Sequence, residues 1–140
     1  MSYVYDDGGR AESGRKGAAE DCVARAVAIA TGKAYDEVYE ILAEGAGNER
    51  GSKGRSARNR IHTDRKWFKD AMVSLSFTWT PTMKVGSGCK VHLRAGELPM
   101  GRLVVSVSRH MVAMIDGVIR DTFDPSRGGT RCVYGYWELA

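Results

Sequence analysis

Only three cysteines occur in the chain, at positions 22, 89 and 132. An odd number at distant positions is not a disulfide framework, and it suits a reducing compartment. No apolar run approaches the length that spans a bilayer, and nothing near the amino terminus resembles a secretory apolar segment. A cytoplasmic location with no membrane contact is therefore expected. Walker and dinucleotide fingerprints are missing, because the glycines at 45–54 do not lie between a strand and an apolar helix. The G-x-S-x-G elbow is missing too, so Ser106 and Ser108 do not read as serine nucleophiles. Cys89-x-x-His92 has usable metal-ligand spacing, with Cys132, His62 or His110 to complete four ligands, but a second tight pair is lacking. No metal or other cofactor is expected, and Cys89 and Cys132 read as ordinary packed thiols.

What remains is the composition of a globular domain: 140 residues, 43% hydrophobic and 27% charged. A chain of this length buries roughly two thirds of its unfolded surface without staples. Lys and Arg number 21 against 17 Asp and Glu, a net charge of +4. That excess permits nucleic-acid contact without requiring it. Between Gly45 and Asp70 there are eight Lys or Arg against three acids, so the positive excess is concentrated there. The 45–63 stretch is glycine-rich and nearly free of apolar residues, which makes it a loop. Arg50, Lys53, Arg55, Arg58 and Arg60 in that loop are candidate contacts for nucleic acid or an acidic partner, although few aromatics are interleaved to stack bases.

Residues 1–20 show no apolar period and read as an extended lead-in, with a single domain over 21–140. Asp21 is a good N-cap, which makes Cys22 the first residue of a helix running to about Thr31, with Gly32 as its C-cap. From Val23 to Ala30 only Arg25 is polar, so this helix should be buried on most sides. A thiol at its start feels the positive end of the helix dipole, and a nearby imidazolium would favour the thiolate further. A second helix follows at Tyr35–Leu42 and stops at Gly45, and a third spans Asp64 to about Leu75.

Period two takes over after Leu75. Ser76–Thr80 alternates until Pro81 breaks it, short extended pieces fall near 83–85 and 90–94, and Arg102–Ser108 reads as a central strand. Asp116-Gly117 between two apolar runs predicts a hairpin in which Ile115 faces Val118 and Val112 faces Asp121. Counting by twos then puts His110 on the face of Asp121, one diagonal step away. A last strand covers Arg131–Trp137. Helices first and an antiparallel sheet second make the class α+β, with the Cys22 helix buried against the sheet.

A cysteine at a helix start, a histidine on a later strand and a carboxylate on the paired strand are the parts of a thiol hydrolase. Cys22 would be the nucleophile, His110 the general base and acid, and Asp121 the group that orients the imidazole. Asp124, in an Asp-Pro at the strand end, is the rival third residue. The Cys22 backbone N–H would give one oxyanion donor.

DCVARAVAIATG with YDEVYEIL, and HMVAMIDGVIRDTFDP, resemble the papain-like cysteine peptidases, in particular their small bacterial and phage-encoded members. Asp121-Thr122-Phe123 stands where that family has Asn or Asp, a small residue and an aromatic. The resemblance implies a papain-like fold, a thiol protease or amidase activity through a thioester, and a peptide or protein substrate. Such peptidases usually carry a glutamine before the cysteine as second oxyanion donor, and this chain contains none. Lys16, six residues before Cys22, or the Asp21 region would have to stand in. The alternative is a binding protein without catalysis, basic through its 45–63 loop.

Overall fold

The computed structural model describes residues 2–9, 22–47, 66–83 and 88–140. Among these, three helices and a six-stranded mixed sheet make an α+β architecture. The elements are β1 (Ser2–Tyr5), α1 (Cys22–Thr31), α2 (Tyr35–Gly47), α3 (Lys66–Ser74), β2 (Phe77–Pro81), β3 (Arg102–Val107), β4 (His110–Ile115), β5 (Val118–Asp121) and β6 (Val133–Leu139).

Local chemistry accounts for the ends of these elements. The Gly32 N–H donates to the Ala28 carbonyl at 2.9 Å with φ of 74°, closing α1 in the left-handed conformation that glycine adopts freely. Asp36 and Glu37 sit in the first turn of α2, where their charge opposes the helix dipole. Gly45 does not stop that helix, which continues to Gly47. In α3, Phe68 and Met72 are fully buried one turn apart. Pro81, lacking an N–H, is tolerated as the last residue of β2 because β2 is an edge strand.

The strand order is β1-β5-β4-β3-β6-β2, so β3 is central, as its apolar run predicts. Four of the five pairings are antiparallel. The fifth corrects the expectation of a purely antiparallel sheet: residues 2–5, read as extended lead-in, pair parallel with β5, placing Tyr5 opposite Asp121. The β4–β5 hairpin has the predicted register, with Ile115 opposite Val118. Asp116 and Gly117 turn it with φ of 50° and 81°, the two positive angles of a type I′ turn. The segment at 90–94 contributes an isolated bridge, His92 to Cys132, and most of the piece expected near 83–85 lies outside the described residues.

Two apolar clusters are built from the alternation of the strands. Val104, Met111, Ala113 and Trp137 share one with Val23, Val27, Leu42, Phe68 and Met72 of the helices. Leu103, Val105, Val112, Met114 and Ile119 share the other with Leu93 and Leu98 from the 88–101 segment. That second cover is fastened covalently. Cys89 and Cys132, read from sequence as packed thiols, form a disulfide, with Cα atoms 5.8 Å apart across a separation of 43 residues. The correction removes the cysteine-based argument for a reducing compartment. No helix among the described residues is long and apolar enough to cross a membrane.

Gly135 of β6 has no room for a side chain: an added Cβ would come within 2.4 Å of the Trp79 indole and 2.9 Å of the Thr80 carbonyl oxygen. Gly135→Ala is expected to destabilise the domain by about 1–3 kcal/mol through overpacking. A urea melt that leaves the midpoint unchanged would contradict this account of the β2–β6 contact.

Candidate active site

The hairpin register decides where the candidate residues meet. His110 opens β4 and Asp121 closes β5, so both lie at the end of the hairpin opposite the Asp116-Gly117 turn. His110 Nε2 and Asp121 Oδ2 are 2.6 Å apart, and both side chains are nearly sealed from solvent, at 10% and 5% exposure. Cys22 lies near enough to the same ring to help raise its pKa. Cys22 begins α1, is half-buried, and is the one free thiol of the chain. Three residues separated by up to 99 positions in sequence thus converge.

The Asp121 carboxylate is held on both oxygens. Oδ2 accepts from His110, while Oδ1 accepts the Thr122 N–H at 2.7 Å and lies 3.6 Å from Arg25 Nη2. Its backbone carbonyl accepts from the Tyr3 hydroxyl at 3.0 Å and from the Asp6 N–H at 2.9 Å. Phe123 packs its ring against His110, with centroids 5.2 Å apart. Arg131 donates to the carbonyls of Ser108 and Pro125, pinning the backbone on either side of the pair. Asp124, the rival third residue, instead caps its own turn by accepting the Ser126 N–H at 3.0 Å.

Electrostatics favour a charged ring. Burial pulls the His110 pKa down, but hydrogen bonds to Asp121 and Cys22, with the electrostatic pull of both, push it up to about 9. The same surroundings, with desolvation foremost and Asp121 next, raise the Tyr3 hydroxyl. An imidazolium flanked by a carboxylate and a sulfur is the arrangement that prepares a thiol for attack on an acyl carbon.

The other candidates separate from this centre. The metal alternative loses its two thiols, since Cys89 and Cys132 are joined to each other; His92 Nδ1 lies 3.1 Å from Glu97 Oε1, and His62 lies outside the described residues. Arg94 and then His92 hold the Glu97 carboxyl down at about 2. No group of three potential ligands occurs among the described residues. Lys16, Asp21 and the basic residues Arg50, Lys53, Arg55, Arg58 and Arg60 lie outside the described residues. Arg25, Thr122 and Tyr3 were not anticipated as part of the site. Arg25 alone carried a sequence signal, as the single polar residue in an otherwise apolar helix.

No protein-family model, curated protein or solved structure matches the chain.

Because the folded His110 pKa stands above its ordinary value of 6.5, the stabilisation it provides is complete below about pH 6.5. It is then lost as the pH rises toward 9. Denaturant midpoints measured from pH 6 to 9.5 should fall over that window, and His110→Asn should flatten the fall. An equal slope in both proteins would refute the assignment.

Proposed function

We propose that this chain is a cysteine hydrolase of papain-like type, acting on amide or related acyl bonds of a peptide or protein. The observation that supports the reading is the Cys22–His110–Asp121 arrangement, assembled from α1, β4 and β5 at one end of the sheet. In this reaction the proton of the Cys22 thiol already resides on the His110 ring, as a thiolate–imidazolium pair, and the sulfur forms a bond to the acyl carbon. The carbonyl π electrons move onto oxygen, where the Cys22 backbone N–H at the start of α1 is a donor. As the tetrahedral centre collapses, the bond to the leaving amine breaks and His110 returns its proton to that nitrogen. A thioester remains on Cys22.

Water then attacks the thioester carbon, giving its proton to His110, and the thiolate leaves as the acid product forms. An amine in place of water would give transfer rather than hydrolysis. Asp121 takes no proton in either half; it orients the ring and stabilises its charged form. Phe123, half exposed against the imidazole, shields the His110–Asp121 contact from water on one side.

The free thiol makes the test direct. At pH 6–7 iodoacetamide should alkylate Cys22 in the folded chain roughly 10–100 times faster than in urea, since a free thiol is little ionised there. His110→Ala should remove most of that advantage. Peptide mapping by mass spectrometry reads both rates. Equal rates in folded and unfolded protein would end the hydrolase reading.

A further inference from the structure

Asp121 poses an electrostatic problem that His110 alone does not solve. A carboxylate with 5% exposure is costly when ionised unless its charge is met, and an imidazolium as its only counterion would be held too firmly to give up a proton. Arg25 stands at the point where this is resolved. It lies three residues after Cys22 on α1, hence on the same side of the helix about one turn along. Its Nη2 is 3.6 Å from Asp121 Oδ1, and its side chain is 12% exposed. Both ends of the ion pair are therefore screened little by water.

We infer that Arg25 is a positioning residue, whose guanidinium holds the Asp121 carboxylate and balances its charge, so that the His110 ring is aimed at the sulfur yet still releases its proton. The inference rests on the hydrolase reading and assigns a role to the one guanidinium within ion-pair distance of the carboxylate among the described residues. Two consequences follow from its placement. The helix that carries the nucleophile is tied to the strand end that carries the third residue, so a shift of α1 moves Cys22 and the support of His110 together. The carboxylate also pulls less on the imidazolium than an unbalanced one would, keeping the ring an effective acid toward a leaving amine.

Several charged groups among the described residues surround the pair. Cys22 and Arg25 face it from α1, and the Tyr3 hydroxyl reaches it from β1. Asp124 follows β5, and Arg131, ahead of β6, feels the charge of Asp121. Of these, Arg25 approaches Oδ1 directly, the oxygen that His110 does not use.

The experiment is an NMR titration of the His110 ring in the full chain, with Cys22 alkylation measured in parallel. Arg25→Gln should raise the His110 midpoint by about one pH unit, because a cation that opposed ring protonation is gone. Arg25→Lys, which keeps the charge, should stay closer to wild type. In an Asp121→Asn background the Arg25→Gln shift should shrink to less than half, as expected of a group acting through the carboxylate. Should Arg25→Gln not fold, Arg25→Met retains the apolar stem and gives the same measurement. An unmoved midpoint in a folded Arg25 variant overturns the inference, and so does an undiminished shift in the Asp121→Asn background. Failure of the hydrolase reading is distinguishable, since it appears in wild type as a Cys22 no more reactive folded than in urea.

Discussion

The contact between His110 and Asp121 is where the folded chain converges. At 2.6 Å it joins the first residue of β4 to the last of β5, and nearly every neighbouring element adds a bond to one member of the pair. Arg25 brings in α1, Tyr3 and Asp6 bring in the edge strand β1 and the turn after it, and Arg131 fixes the flanking carbonyls. A buried charged pair is costly unless its remaining hydrogen-bonding capacity is filled. Here the carboxylate has a partner on each oxygen, and its own carbonyl has two more. The surrounding polar bonds are thus a condition for placing a charged group at the edge of an apolar core.

Much of this centre was legible because it depends on short-range rules. Asp116-Gly117 admits one tight turn, the turn sets the register, and the register brings the start of β4 beside the end of β5. Cys22 followed from helix grammar alone. An apolar stretch closed by Gly32 has its first turn where the cysteine stands. Asp121 was preferable to Asp124 for the same reason, since only the former lies at the strand end that faces His110, while the latter is spent on its own turn.

What was not legible depends on contacts between distant segments. β1 has four residues and no apolar alternation, and its parallel pairing reaches across more than a hundred positions to β5. The disulfide was missed because counting cysteines weighs parity and spacing, whereas the bridge forms between an irregular segment and the approach to β6. Gly45 failed as a stop signal because a glycine inside a helix costs only about 1 kcal/mol, which packing elsewhere along α2 offsets. Arg25 was read as an exception within a buried helix, and its partner could not be named until β5 was placed beside α1.

The bridge between Cys89 and Cys132 closes a ring of chain that contains β3, β4 and β5 entire. His110 and Asp121 are inside that ring, and Cys22 is outside it. Crosslinking a loop of this length lowers the entropy of the opened chain by an amount worth about 4 kcal/mol. His110 and Asp121 are consequently kept near one another even when the rest of the domain loosens, whereas Cys22 depends on the docking of α1. The Cys22–His110–Asp121 cluster is thus completed on a crosslinked scaffold by the seating of a single helix.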